Sequence, residues 1–61
     1  MKADTRYLSV HQVADMLDVS TQTVLALIRR GELPAHRLGR AYRIAPADLQ
    51  AMLDATRTEA S

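Results

Sequence analysis

Apolar residues recur at helical spacing near the start of the chain. They follow one another at intervals of three, one and three residues: Val10, Val13, Ala14 and Leu17. This pattern predicts a helix from about Val10 to Leu17. Ser9 stands three residues before Gln12, the spacing of a capping box in which each side chain satisfies an amide at the helix start.

A second helical pattern begins after an interruption at residues 18–20. Its apolar positions are Val24, Leu27 and Ile28. Ser20 is a suitable N-cap, Thr21 follows as the first helical residue, and Gly31 is the glycine expected just beyond a helix end. Two short helices joined by a three-residue turn predict a helix-turn-helix.

Beyond Gly31 the period of the pattern changes. Pro34 excludes further helix, and the alternation in "AHRLGRAYRI" predicts two short strands. Three apolar residues share one parity and are expected on one packed face: Leu38, Tyr42 and Ile44.

A tight turn is expected between the two strands. Gly39, Arg40 and Ala41 lie there, and glycine permits the positive φ of a hairpin turn. The segment is therefore predicted to be a β-wing with Arg40 at or near its tip. Arg37 and Arg43 are expected on the outer face of the strands.

The segment "APADLQAML" predicts a third helix. Pro46 suits the first helical position, Asp48 suits the positive end of the helix dipole, and the buried face is expected to hold Leu49, Met52 and Leu53. Residues 54–61 lose the pattern and are expected to fray. The predicted fold is mainly α with a small β-hairpin, a winged helix-turn-helix in the order helix, helix, hairpin, helix. Residues 1–61 are expected to form one domain with an ordered core of about residues 7–55.

Composition narrows the class of protein. The chain has 61 residues and no cysteine, which argues against a disulfide framework or a thiolate zinc site. No apolar run approaches the ~20 residues of a membrane span, and "MKADTRYLS" lacks the apolar centre of a secretory signal. We therefore expect a cytoplasmic protein that does not bind a membrane.

Catalysis and metal binding are not expected. His11 and His36 have neither cysteines nor a clustered acid pattern beside them, so both are interpreted as surface residues and no metal or cofactor is predicted. Asp15 and Asp18 lie on a short polar helix end and do not indicate a catalytic pair. A chain of this size has little room for a water-excluding active site, so the protein is not expected to be an enzyme.

The charge is unevenly distributed along the chain. The formal net charge is only +1, yet residues 20–43 carry five arginines and one glutamate, and both flanks are net acidic. This distribution suggests one electropositive face suited to a polyanion, although a solvated arginine-rich loop is the alternative.

The second predicted helix can direct part of this charge outward. With its apolar residues facing the core, a helical wheel places Gln22, Ala26 and Arg29 on the outward face, flanked by Leu25 and Arg30. In a helix-turn-helix the second helix enters the major groove. Gln22 could read an adenine edge, and Arg29 a guanine edge or a phosphate.

The start of that helix and the wing add candidate contacts. Ser20, Thr21 and Thr23 offer hydroxyls, and the first amides of the helix can face a phosphate. Ordinary chemistry of a helix start explains Thr21 and Gln22 equally well. Arg40 at a hairpin tip suits a narrow minor groove, and the other wing arginines can hold the DNA backbone. The predicted DNA-binding residues are Ser20, Thr21, Gln22, Thr23, Ala26, Arg29, Arg30, Arg37, Arg40 and Arg43. Tyr42 has the parity of the packed face, so a core position is favoured over stacking on bases.

Several segments resemble the small excisionase-type, MerR-like winged helix-turn-helix domains. They are "YLSVHQVADML", "VSTQTVLALIRRGELPA", "RLGRAYRI" and "DLQAML", and the resemblance covers about residues 7–53. By this resemblance Thr21, Gln22 and Arg29 fall on the recognition helix, Ser20 on its cap and Arg40 on the wing tip. Leu25 and Ala26 depart from the larger polar or aromatic residues frequent in the family, which shifts expected specificity toward the wing and DNA shape.

The resemblance implies a bacterial or phage protein that binds double-stranded DNA. Most such proteins are recombination directionality factors, which bind and bend attachment-site DNA and steer a tyrosine or serine integrase toward excision. Others are small transcriptional regulators, and that alternative stays open here. A module that only binds proteins is disfavoured by the basic middle segment. Since one helix and one wing cover little DNA, we expect copies to associate head to tail on neighbouring sites.

Overall fold

The computed structural model describes residues 6–58. Three helices and one antiparallel hairpin follow in the order α1 Val10–Leu17, α2 Thr21–Arg29, β1 His36–Leu38, β2 Ala41–Arg43 and α3 Pro46–Ala55. The predicted fold class, a mainly helical winged helix-turn-helix, is confirmed. None of the helices within residues 6–58 is long and apolar enough to cross a membrane.

The predicted helix starts are confirmed. The Ser9 amide donates to Gln12 Oε1 at 2.9 Å, and the Gln12 amide donates to Ser9 Oγ at 3.1 Å, which completes the capping box. Ser20 caps α2 by accepting from the Thr23 amide at 3.1 Å. Pro46 opens α3 as predicted, although Ala45 at its N-cap has no side-chain oxygen to offer.

Helices α1 and α2 end with the same hydrogen-bond pattern. The Val19 amide donates to the Ala14 carbonyl and the Glu32 amide to the Leu27 carbonyl, both at 3.0 Å, as in Schellman motifs. Such a motif needs one residue in the left-handed region. After α2 that residue is Gly31, with φ 80°, but after α1 it is Asp18, with φ 57°. A residue with a Cβ therefore carries the strained conformation at the turn of the helix-turn-helix.

Replacing this aspartate should stabilise the fold. Asp18→Gly removes the Cβ from a left-handed conformation and a negative charge from the C-terminal end of α1, and we expect a gain of about 0.5–1 kcal/mol in the free energy of unfolding. Urea denaturation measures it. Asp18→Asn is the matched control, because it removes the charge and keeps the Cβ. An equal gain in both variants would assign the effect to charge, and a loss in Asp18→Gly would contradict the strain argument.

Every helix and the end of the hairpin contribute to one apolar core. Its buried members are Val13, Ala14, Val24, Leu33, Ile44, Leu49 and Met52. Leu33 is only 1% exposed although it lies outside the helices and strands, and the sequence pattern did not predict it. The backbone of Ile44 pairs with that of Leu8 through two N–H···O bonds of 2.8 Å. The segment before α1 is thereby fastened to the end of the hairpin.

The hairpin register differs from the expectation. The paired residues are His36 with Arg43, Arg37 with Tyr42, and Leu38 with Ala41, so the loop contains only Gly39 and Arg40. Ala41 belongs to β2 and not to the turn. Each pair joins an even and an odd residue, so two residues of equal parity on different strands lie on opposite faces.

This register overturns two predicted placements. Leu38 does not share the face of Tyr42, and it is 64% exposed where a packed residue was expected. Arg37 and Arg43 likewise lie on opposite faces, not together on an outer one. Tyr42 is half-buried and lies outside the buried core, whereas Ile44 is fully buried as predicted.

The C-terminal helix extends further than the pattern indicated. The apolar pattern ends at Leu53, and α3 continues for two more residues to Ala55. The predicted fraying of residues 54–61 falls partly on residues 59–61, which lie outside the described part of the chain.

Candidate nucleic-acid interface

The outward face of α2 carries two exposed polar side chains in line. Gln22 and Arg29 are seven residues apart, so they lie about 20° apart around the helix and about 10 Å apart along it. Leu25 and Ala26 are half-buried between them. Within residues 6–58 the side chains of Gln22 and Arg29 make no hydrogen bond or ion pair. Both are available to a ligand.

Hydroxyl groups at the start of α2 are largely committed to the fold. Ser20 Oγ accepts from the Thr23 amide and lies 3.0 Å from Thr23 Oγ1, so these two hydroxyls bond each other. Thr21 is half-buried, and its amide and that of Gln22 belong to the first turn, which lacks intrahelical acceptors. Contacts from Ser20 and Thr23 to a ligand would have to share their hydroxyls with the cap.

The wing tip presents Arg40. Gly39 has φ 65° and is the first of the two loop residues, the pattern of a type II′ hairpin. Arg40 follows it and is exposed, and its guanidinium has no ion pair or hydrogen bond among the residues that the structure describes. The turn chemistry thus projects one unpartnered cation from the wing.

The other wing arginines are held against the hairpin. Arg37 Nε donates to the Gly39 carbonyl at 3.3 Å, and its guanidinium lies 5.7 Å from the centre of the Tyr42 ring, a cation–π contact. Arg43 Nη1 donates to the Tyr42 carbonyl at 3.0 Å and is partly buried. Their charges remain, but their positions are fixed by the wing.

The remaining arginine of the basic segment, Arg30, forms an ion pair. Arg30 Nη2 lies 2.8 Å from Glu32 Oε2, and Arg30 Nε donates to the same oxygen at 2.9 Å. Glu32 therefore offsets the charge of Arg30. Of the five arginines in residues 29–43, this leaves Arg29 and Arg40 without a partner in the described part of the chain.

A groove of about 440 Å³ lies beside the wing. It lies between the first residues of α1, one side of α2 and the hairpin, and it is lined by Ser9, Val10, His11, Thr21, Leu25, Arg40, Ala41, Tyr42 and Arg43. No carboxylate is among these lining residues. The structure brings three predicted site residues together here: Thr21, Arg40 and Arg43. The other seven predicted site residues do not line the groove: Ser20, Gln22, Thr23, Ala26, Arg29, Arg30 and Arg37.

One family match covers nearly all of the described residues. A family described as "Helix-turn-helix domain" matches residues 7–57, which include all five elements up to the end of α3. The chain belongs to the helix-turn-helix domain family. No solved structure matches this helix-turn-helix domain.

The curated proteins that are similar to this helix-turn-helix domain differ in length, so the match covers different shares of them. The Mycobacterium tuberculosis protein named "Putative DNA-binding protein Rv0500A" is 42% identical over 53 residues, which cover 87% of this chain and 68% of the relative. "Uncharacterized protein Rv2310" of the same species is 44% identical over 50 residues, 82% of this chain and 44% of the relative. "Uncharacterized protein YvgK" of Bacillus subtilis is 43% identical over 47 residues, 77% of this chain but only 15% of the relative.

Sequence reasoning did not include one groove residue, His11, among the candidate DNA-binding residues of this helix-turn-helix domain. His11 was given a surface role, and it is indeed exposed, but it lines the groove together with Arg40 and Arg43. Its sequence neighbourhood carried no basic pattern, because the arginines beside it come from the hairpin about 30 residues later. Only the packing of the wing against the helices reveals the cluster.

Proposed function

We propose that this helix-turn-helix domain binds duplex DNA sequence-specifically and without catalysing a reaction. The observation that carries the proposal is the pair of unpartnered cations, Arg29 on α2 and Arg40 at the wing tip, of which Arg40 also lines a groove without carboxylates. Helix α2 enters the major groove and the wing tip reaches the adjacent minor groove. The mycobacterial relative is named a DNA-binding protein, and its similarity to this chain supports the same function.

The exposed face of α2 suits a short stretch of mixed base pairs. Gln22 and Arg29, about 10 Å apart along the helix, span about three base pairs. The amide of Gln22 pairs with an adenine edge and the guanidinium of Arg29 with a guanine edge or a phosphate. Ala26 between them offers a methyl group, which suits contact with a thymine methyl.

Within this function we propose the role of an excisionase. Such a factor binds and bends attachment-site DNA and so directs an integrase toward excision. The resemblance of the helices and wing to excisionase-type domains supports this role, and one helix with one wing buries only about 600–1,000 Å², too little to select one genomic site. Several adjacent copies are therefore required. A small MerR-like transcriptional regulator is the alternative.

Two separate exposed patches support head-to-tail contacts between copies. Tyr7 and Leu38 expose apolar surface beside the wing, and Met16, 61% exposed, and Val19 expose it at the end of α1. Asp15 and Asp18 lie in the same part of the chain as the second patch, while Arg43 borders the first. Apolar surface and opposite charges thus occur at two separate places, one including Tyr7 before the start of α1 and one at the end of α1, which favours a heterologous contact over a symmetric dimer.

An array of binding sites tests the excisionase role. On DNA with several adjacent sites, wild type is expected to load cooperatively and to increase curvature with each copy, because wing and helix end meet between neighbours. Footprinting and gel mobility of circularly permuted fragments measure both effects. Leu38→Ser, at an exposed position, should keep the affinity for a single site and lose the cooperativity. Independent filling of straight DNA would contradict the excisionase role and favour a regulator.

A further inference from the structure

We propose that His11 binds a backbone phosphate of the DNA in the groove and makes affinity depend on pH. The proposal rests on the DNA-binding function above and adds a contact from α1 to those of α2 and the wing. The protonated imidazole is the binding form, so DNA is held more tightly as the pH falls.

The position of His11 carries this inference. It is the second residue of α1, it is exposed, and it lines the same groove as Arg40 and Arg43 of the hairpin. In a helix-turn-helix the first helix crosses the DNA backbone while the second reads the bases. A phosphate lying in the groove would therefore meet cationic groups from both the wing and α1.

The charges around His11 favour an anion there. From α2 the groove receives Thr21 and Leu25, which are uncharged, and α2 contains no acidic residue. From the hairpin it receives two arginines and Tyr42. On α1 itself the nearest acid is Asp15, one turn away, and it forms no ion pair with His11 in the described part of the chain.

The sign of the pH effect follows from linkage. Imidazole side chains change charge in the range between about pH 5 and 8, in which a phosphodiester remains ionised. Only the protonated ring donates from both nitrogens and attracts the phosphate electrostatically. The complex therefore binds more protons than the free protein, and its dissociation constant must fall as the pH falls.

His11→Gln tests the proposal, with His36→Gln as the matched control. Glutamine keeps a hydrogen-bonding side chain but cannot become charged. His36 is also exposed, but it does not line the groove, although its strand partner Arg43 does. Its ring packs against that of Tyr7, with the ring centres 5.4 Å apart. Anisotropy titrations with a labelled duplex, at fixed ionic strength between about pH 8 and pH 5.5, measure the dissociation constant of each protein.

Wild type and His36→Gln are expected to tighten about fivefold on acidification, whereas His11→Gln should change little. At the acidic end the salt dependence of wild type should also be steeper by about one phosphate contact. Two outcomes would overturn the role of His11 and leave the DNA-binding function intact. In one, His11→Gln binds DNA with the same pH dependence as wild type; in the other, wild type binds DNA with no pH dependence. Failure of every variant to bind DNA at low salt would instead refute the function itself.

Discussion

Raising the salt concentration from about 50 to about 200 mM is expected to weaken the binding of duplex DNA about a hundredfold. Each neutralised phosphate releases counterions and contributes about −0.9 to the slope of log affinity against log salt, so about four contacts give a change of this size. Four is the number of arginines in residues 29–43 that form no ion pair in the described part of the chain: Arg29, Arg37, Arg40 and Arg43. Anisotropy titrations at several salt concentrations measure the slope.

Measuring the slope of log affinity against log salt in single arginine variants shows which residues contribute to it. Arg40→Ala and Arg29→Ala should each reduce it by about one where the guanidinium contacts a phosphate. Arg40→Ala should also reduce the preference for narrow, A/T-rich flanks, because in the proposed binding mode the wing tip lies in the minor groove. Arg30→Ala is the control: its guanidinium is paired with Glu32, so its removal should alter the slope less. An affinity that is unchanged between low and moderate salt would contradict the phosphate mechanism for all of them.

Ile44→Ala is expected to cost about 2–5 kcal/mol in the free energy of unfolding. The side chain is fully buried among residues from all three helices, so its truncation leaves a cavity that the surrounding core fills only in part. A domain of this size has about 3–9 kcal/mol of stability in total. The variant should therefore be unfolded to a substantial degree at 37 °C, about the upper end of mesophilic conditions.

Leu38→Ala is the matched control for this loss. It removes a similar amount of side chain from a residue of the same hairpin that is exposed, so its effect should stay within about 0.5 kcal/mol. Urea denaturation monitored by circular dichroism compares the two variants. Equal stabilities would show that the hairpin end does not belong to the cooperative core.

The helices were predictable because their signals are local. A helix start or end depends on residues within a few positions of it. Five such residues behave as their local chemistry predicts: Ser9, Gln12, Ser20, Gly31 and Pro46. The same holds for the apolar spacing of α1, whose predicted bounds match the structure.

The wing was less predictable because its faces depend on the length of its turn. With three loop residues Leu38 and Tyr42 would share a face, but with two they do not, and the sequence "LGRAY" permits either turn. Leu33 was missed for a different reason. It follows the glycine that ends α2 and belongs to no periodic run, so only the three-dimensional packing reveals its burial.

Some residues of the candidate site were predictable from local spacing, and others were not. Gln22 and Arg29 were assigned to the outward face of α2 from helical spacing alone, and the structure finds both exposed. The ion pair of Arg30 with Glu32 and the position of His11 in the groove required side-chain geometry and tertiary packing.

The groove is formed by α1, α2 and the hairpin, and these elements are held together through the core around Ile44. A ligand that contacts all three walls binds only the folded chain, so its binding energy adds directly to the stability of the fold. At a DNA concentration one hundred times the dissociation constant this gain is about 2.7 kcal/mol, comparable to a large part of the stability of so small a domain. Binding sites on the chromosome would then also protect the protein from unfolding and proteolysis, and molecules without DNA would be degraded first.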